Sequence, residues 1–111
     1  MISDQDLERA LDWLRDNANA AAKARAERLY LEEWLGSKRA QLAAGFMASG
    51  ASAAAADMQA KASPEYQEAL DGFKAAVEAD ERLRWHRTRA DAVIEVYRTQ
   101  AATRRAMEKV T

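Results

Sequence analysis

The residues of this chain that are best suited to chemistry are cations on one face of its C-terminal half. His86 is the only histidine, and it lies three or four residues from Arg82 and Arg89, a spacing that puts side chains on one face of a helix. Arginine binds phosphate oxygens through its planar guanidinium group. The grouping therefore indicates an anion-binding face rather than a metal site, with a plain surface histidine as the alternative.

Further basic residues extend this pattern. Arg98 and Arg105 lie one heptad apart, and a second basic group contains Lys38 and Arg39. Aromatic side chains can stack on unpaired bases, and the candidates here are Tyr30, Trp34, Trp85 and Tyr97. For each of them, contact with a core or with another subunit is the alternative. The predicted nucleic-acid-binding residues are Lys38, Arg39, Arg82, Arg89, Arg98 and Arg105.

Catalytic chemistry is not indicated by any spacing in the chain. The adjacent acids Glu32-Glu33 and Asp80-Glu81 point about 100° apart on a helix, so neither pair forms a two-carboxylate site. The chain has no Cys, and it lacks a Gly-rich phosphate loop and a His-Glu-x-x-His motif. We expect no catalytic residue, no metal, no cofactor and no small-molecule substrate, and hence not an enzyme.

Long helices must position these side chains. Ser63-Pro64-Glu65 is a strong helix start, and no Gly follows Gly72 and no Pro follows Pro64. We predict a helix over about 64–109. Upstream, apolar spacing predicts helices over about 4–17, capped by Ser3 or Asp4, and over about 20–47. Asn17 and Asn19 favour a break between them, or the helix runs through. Residues 48–63 form the predicted link, with a short helical piece at 53–61.

The helix from residue 64 carries a heptad-like apolar stripe with spacing of three and four. Asp80 and Arg87 interrupt this stripe. Two interpretations are open: these side chains lean out to solvent, or they pair with opposite charges across the seam and set its register. Trp85, Ala92 and Val96 form a second apolar face that suggests contact with another subunit. Together the predicted oligomer interface is Trp85, Ala92, Val96, Asp80 and Arg87.

Composition supports an all-α fold that assembles. The 111 residues are rich in Ala, Leu, Glu, Lys and Arg, as in long helices and coiled coils. We predict one helical domain, a long antiparallel hairpin with an N-terminal helix, coiled-coil-like and homo-oligomeric, because alanine buries little area. The net charge of −1 conceals alternating acidic and basic bands. The acidic N-terminus lacks an apolar signal core, and no segment is apolar enough to span a bilayer. We therefore expect a cytoplasmic protein with no membrane partner.

The segment from Leu29 to Arg39, with sequence LYLEEWLGSKR, resembles the early helix of UvsY-type phage recombination mediators. That helix carries an aromatic, Trp-Leu and basic series, and the Ala-rich basic stretch of residues 22–26 precedes it here. The helix from Tyr66 to Arg105 resembles the closing helix of the family. The resemblance implies an all-helical ring that binds single-stranded DNA and helps a recombinase replace a single-strand-binding protein in a bacterial host. Lys38 and Arg39 are the DNA-binding residues that match the motif.

Two other functions stay open. One is a structural or adaptor oligomer that binds only protein partners. The other follows from Trp34-Leu35-Gly36, which resembles the tripeptide of WxG-type secreted helical hairpins. That tripeptide lies in a turn in those proteins, whereas the helical pattern here continues to Phe46, and Ala101 stands where their C-terminal signal has an acid.

Overall fold

The computed structural model describes residues 1–110. It is all-helical over this range, with three α-helices: α1 (Asp4–Ala48), α2 (Ala53–Ala62) and α3 (Pro64–Val110). The predicted all-α class is confirmed, and so is the start of the long helix at Pro64. The two helices predicted over 4–17 and 20–47 are in fact one continuous helix. The predicted link over 48–63 contains α2, which agrees with the short helical piece expected there.

Asn17 explains why α1 does not break. Its side-chain amide donates a 2.9 Å hydrogen bond to the carbonyl oxygen of Trp13, one turn back. This bond satisfies the polar side chain within the helix, so that Asn17 does not compete for the backbone of a turn. The weak helix propensity of Asn17 is therefore compensated locally.

The helix ends follow from their capping residues. Ser3 and Asp6 bond reciprocally, each backbone N–H to the other side chain, at 2.9 and 3.1 Å, which is a capping box. The C-terminus of α1 closes on Gly50, whose φ is 106°. The N–H of Ala51 bonds to the carbonyl of Phe46, and that of Gly50 to Met47, as in a Schellman motif. The hydrogen bonds between Ser3 and Asp6 confirm Ser3 as the capping residue at the start of α1.

Ser63 separates α2 from α3. Its hydroxyl donates to the carbonyl of Ala60 at 2.7 Å and accepts from the N–H of Tyr66 at 3.3 Å. Its backbone is extended, with φ −71° and ψ 146°, as expected for a residue before proline. One buried serine therefore caps the end of α2 and the start of α3.

The described part of the chain divides into two compact units. We call Met1–Ala22 with the chain from Glu81 onward the terminal unit, and Lys23–Asp80 the central unit. In the terminal unit, Asp4 bonds to Tyr97 and Trp13 contacts His86, so the two helical segments are antiparallel. In the central unit the contacts Arg28–Asp80 and Arg39–Asp57 are nested in the same way.

Both units have thin cores. The buried apolar residues are all alanines, Ala10 and Ala90 in the terminal unit and Ala56, Ala60 and Ala69 in the central unit. Larger residues of the α3 stripe, such as Phe73, Leu83 and Ile94, are only half-buried. Alanine removes little apolar area from water. Each unit therefore has a small hydrophobic contribution to its stability.

Asp80 and Arg87 behave differently from each other. Asp80 is 1% exposed, and its carboxylate accepts a 3.0 Å hydrogen bond from Arg28. Asp80 therefore pairs with a residue on another helix of the same protomer. The predictions that it leans out to solvent and that it belongs to an oligomer interface are wrong. Arg87 is exposed, in agreement with the outward-leaning interpretation for that position.

Candidate nucleic-acid interface

The predicted cations fall in both units. Arg82, Arg89, Arg98 and Arg105 lie on α3 within the terminal unit, and all four side chains are exposed. Lys38 and Arg39 lie on α1 within the central unit and are half-buried. The six residues therefore do not form one continuous surface within one unit.

A cavity of about 350 Å³ lies in the terminal unit, between its two helical segments. The rings of Trp13 and His86 meet there with centroids 5.6 Å apart and an interplanar angle of 32°. Arg9 and Arg89 line the same cavity, as does the carboxylate of Asp6. The apolar part of the wall consists of Ile2, Ala10, Ala90 and Val93. The volume lies within the range of small-molecule sites.

Helical spacing puts these residues together. Asp6, Arg9 and Trp13 are three and four residues apart on α1, and His86, Arg89 and Val93 have the same spacing on α3. Residues at these intervals share one face of a helix. Ala10 and Ala90 are buried where the segments meet, at 7% and 5% exposure. Their small side chains let the helices approach, so that the larger flanking side chains form the walls.

The cavity has an excess of cationic groups. Arg9 lies 3.8 Å from Asp6, which partly neutralises it, whereas Arg89 is an exposed guanidinium. The hydrogen bond from the Ser3 backbone, followed by that from the Ser3 hydroxyl, lowers the pKa of Asp6. The carboxylate is therefore ionised near neutral pH, and two guanidinium groups face one negative charge. Such a site can bind a planar anionic group, with Trp13 available for stacking.

Arg39, by contrast, is already paired. Its Nε and Nη2 donate to the two carboxylate oxygens of Asp57 at 2.6 and 2.9 Å, and Lys61 approaches the same carboxylate at 3.4 Å. The hydrogen bond to Asp57 raises the pKa of Arg39, and that from Arg39 lowers the pKa of Asp57. This bidentate ion pair therefore joins α1 to α2, and it reduces the capacity of Arg39 to bind a phosphate.

Arg98 is partly neutralised by its own helix. It lies 3.1 Å from Glu95, and both side chains are about 70% exposed. An exposed pair of this kind is weak, so Arg98 can still exchange Glu95 for another anion.

Most residues of the predicted oligomer interface are exposed to solvent. Trp85 is 71% exposed and Val96 is 45% exposed, and Ala92 and Arg87 are exposed as well. Asp80 is the exception, because it is buried within the protomer. Four of the five residues are therefore accessible to a partner.

Among the charged and aromatic residues of the cavity, Asp6, Arg9 and Trp13 are absent from the sequence prediction. Their helical spacing is visible in the sequence, but their proximity to His86 depends on which residues of two distant segments face each other. The alternating charge bands indicate antiparallel packing without specifying that register. Trp13 therefore emerges as a candidate stacking residue only from the fold.

Comparison with protein-family models, with curated proteins and with solved structures finds no match to this chain. Within residues 1–110, no helix combines the length and the apolar character that crossing a membrane requires. Over the same range, no three His, Cys, Asp or Glu side chains are grouped so that they could hold a metal ion.

Proposed function

We propose that this chain is a non-catalytic helical protein that self-assembles and binds single-stranded nucleic acid through the terminal unit. The observation that carries the proposal is the cavity between α1 and α3, where Trp13 and His86 lie beside Arg9 and Arg89. A base can stack on the indole ring while a guanidinium group binds the adjacent phosphate. This combination of stacking and charge is the common mode of sequence-tolerant single-strand binding.

The narrower role is an accessory factor of phage-type homologous recombination in the bacterial cytoplasm. The resemblance of Leu29–Arg39 and of α3 to UvsY-type mediators supports it, with a recombinase or a single-strand-binding protein as the further partner. The exposed positions of Arg82, Arg89 and Arg105 on α3 agree with this role. Arg39 has a weaker place in it, because Asp57 binds its guanidinium.

Assembly is part of the proposal. One copy offers a single small cavity and few phosphate contacts, whereas linked copies add weak contacts into useful affinity. The alanine cores of the two units and the exposed Trp85, Tyr30 and Leu29 supply the reason to associate. Further apolar burial between copies would compensate for what each protomer lacks.

A second candidate is an adaptor oligomer that contacts only proteins. The apolar face of Trp85, Ala92 and Val96 favours it, because Trp85 is 71% exposed on a solvated helix. Exposed aromatic residues of this kind are typical anchors of protein interfaces. Nucleic-acid binding separates the two candidates.

The test is a fluorescence anisotropy titration of the full chain with a labelled single-stranded oligonucleotide at about 50 mM salt. Replacing Arg89 with Ala is expected to weaken binding about tenfold, the effect of losing a hydrogen bond to a charged group. The same change should make the affinity less dependent on salt. Each phosphate contact on a single strand contributes about 0.7 to the slope of the logarithm of the binding constant against the logarithm of the salt concentration.

Arg15→Ala is the matched control, because it removes the same charge from the terminal unit. Arg15 is held by Asp12 and Asp16 at 3.3 and 3.0 Å and lies outside the cavity. If both variants lost the same affinity, binding would depend only on the net charge of the protein, and the role of the cavity would be contradicted. No binding by the assembled wild-type protein would reject the nucleic-acid proposal in favour of the adaptor.

A further inference from the structure

The side of α3 opposite its buried residues carries one sign of charge in each unit. Exposed residues follow each other along this side at alternating intervals of three and four, the spacing of a coiled-coil contact line. We call them the outer face: Glu68, Asp71, Ala75, Glu78, Arg82, Trp85, Arg89, Ala92 and Val96. Their charged members are acidic in the central unit and basic in the terminal unit. A surface with this layout is complementary to a reversed copy of itself.

Glu78 and Arg82 lie at the change of sign, four residues apart, which is the spacing of an ion pair on one helix. Among the described residues, neither of them makes an ion pair, although Glu81 and Arg84 next to them are bound at 3.2 Å. Trp85 is 71% exposed on the same face. Two opposite charges and one large aromatic ring are therefore available to a second molecule.

We propose that two copies of this chain pair through the outer faces of α3 in the antiparallel direction, which deepens the assembly part of the proposed function and rests on it. In an antiparallel pair of helices, the numbers of facing residues have a constant sum, and in the register that matches the charges this sum is about 160. Glu78 then lies opposite Arg82 of the second copy, and Trp85 lies opposite Ala75. The two-fold axis repeats both contacts.

The charges at the centre of this register alternate around the two-fold axis. Each Glu78 carboxylate lies between Arg82 of its own helix and Arg82 of the second copy. Farther out, Asp71 lies opposite Arg89 in a more exposed pair, which contributes less and can still give way to a phosphate. A parallel pair in register would instead place Glu78 on Glu78 and Arg82 on Arg82. Charge complementarity therefore selects the antiparallel direction.

Glu81 lies beside the two-fold axis but off the outer face. Its carboxylate is bound by the guanidinium group of Arg84 at 3.2 Å. Because successive residues of a helix turn by about 100°, Arg84 lies farther round α3 from the outer face than Glu81 does. The bond therefore draws the Glu81 carboxylate away from its counterpart in the second copy and partly neutralises it.

Trp85 supplies most of the apolar area of this interface. Its indole ring loses its exposure against Ala75 of the second copy, whose small side chain leaves room for the ring. The paired segment ends at Val96, which lies opposite the first residue of α3 in the second copy. Arg98 and Arg105 lie beyond that end. The register therefore uses Arg82 for assembly and leaves Arg98 and Arg105 available to a nucleic acid.

Charge reversal tests the outer face in the full chain. Glu78→Arg makes the four central charges of a pair all positive, and Arg82→Glu makes them all negative. Each variant alone should therefore self-associate at least about tenfold more weakly by sedimentation. An equimolar mixture of the two variants should associate as well as the wild type, because opposite charges then face each other across the axis. Both side chains are exposed, so helical content by circular dichroism should not change.

Asp91→Arg is the matched control for Glu78→Arg. It makes the same reversal of charge at another exposed residue of α3, but helical spacing puts Asp91 on the other side of α3 from the outer face. Self-association should be unaffected. A loss equal to that of Glu78→Arg would attribute both effects to the net charge of the protein and would overturn the role of the outer face.

Engineered cysteines test the direction, because the chain has no cysteine of its own. A mixture of Glu68→Cys and Ala92→Cys proteins should oxidise to a covalent mixed dimer, while each variant alone should not. In the proposed register the two copies of either position lie about 36 Å apart along the helix axis at 1.5 Å per residue, beyond the reach of a disulfide. Rapid cross-linking of Ala92→Cys alone would overturn the antiparallel direction.

The outcomes separate this inference from the proposed function. A wild-type protein that is monomeric by light scattering at micromolar concentration would overturn the assembly itself, and with it the pairing of outer faces. A wild-type oligomer that neither Glu78→Arg nor Arg82→Glu weakens would overturn the pairing of outer faces while the assembly stands. Loss of association in each variant with recovery in the mixture would support the pairing.

Discussion

The two units of this chain use their charged residues in different ways. In the central unit, carboxylates bind cations of another helix: Asp80 binds Arg28 and Arg25 at 3.0 and 3.7 Å, and Asp57 binds Arg39 at 2.6 Å as well as Lys61 of its own helix at 3.4 Å. In the terminal unit, four cations pair with neighbours on their own helix. These short-range pairs are Arg9 with Asp6, Arg15 with Asp12 and Asp16, Arg84 with Glu81, and Arg98 with Glu95.

This difference indicates a division of roles. Ion pairs between helices hold a fold together and resist exchange when one partner is buried. Exposed pairs three residues apart contribute little and give way easily to a stronger anion. We therefore expect substitutions of charge in the central unit to reduce stability, and those in the terminal unit to reduce binding.

The largest expected effect is in the central unit. Asp80→Ala should lower the free energy of unfolding by about 2–3 kcal/mol, because it leaves the Arg28 guanidinium without its buried carboxylate. This loss of stability is small for a buried ion pair, because the Arg28 side chain is still 25% exposed to solvent. Urea unfolding followed by circular dichroism measures it.

Asp71→Ala is the control for this change, because Asp71 is an exposed aspartate on the same helix. It should alter the free energy of unfolding by less than about 0.5 kcal/mol, as surface substitutions usually do. Similar losses for both variants would remove the structural role assigned to Asp80 and weaken the contrast between the units.

The next effect is on binding by the terminal unit. Arg98→Glu with Arg105→Glu should weaken binding of single-stranded DNA by about tenfold or more at low salt, since two attractive charges become repulsive. Self-association should be unaffected. Taken singly, Arg105→Glu should cost more than Arg98→Glu, because Glu95 already occupies Arg98. Anisotropy and light scattering on the same samples distinguish the two properties.

The opposite result would also be informative. If Arg39→Glu weakened DNA binding more than the double variant did, the motif-supported cation of the central unit would be the principal contact. The division of roles between the units would then be wrong.

How far the sequence predicts this structure depends on how local each feature is. Ser63-Pro64 predicts the start of α3 because the capping atoms lie within three residues. α1 continues through Asn17, whose side chain bonds to the carbonyl of Trp13, a contact that propensities do not include. The burial of Asp80 depends on Arg28, 52 residues away, and the cavity depends on the register of Trp13 against His86. Local signals therefore predict the helices, while long-range register decides the candidate site.

A smaller effect is expected at the apolar face of the terminal unit. Trp85→Asp should leave DNA binding per assembled subunit unchanged under the mediator proposal, with at most a several-fold loss of self-association. Under the adaptor alternative it should abolish partner binding, because a buried charge replaces an aromatic anchor. Arg84→Asp, one residue away and also exposed, controls for the added negative charge.

The smallest effect is the response to acid, and it tests whether both units contain carboxylates stabilised by folding. Arg39 lowers the pKa of Asp57 in the central unit, and the Ser3 backbone lowers that of Asp6 in the terminal unit. A carboxyl group whose pKa is lowered by folding contributes stability above its unfolded value and loses it as the pH falls through the folded value. The midpoint temperature of thermal unfolding should therefore be constant from about pH 7 to pH 5 and should fall below about pH 4. Arg39→Ala should reduce the part of this decline due to Asp57. Ser3→Ala should reduce the part due to Asp6 by less, because it removes the hydroxyl and keeps the backbone N–H that lowers the pKa of Asp6 most. A decline that neither variant changes would assign the acid response to other carboxylates and would leave the two units indistinguishable in this respect.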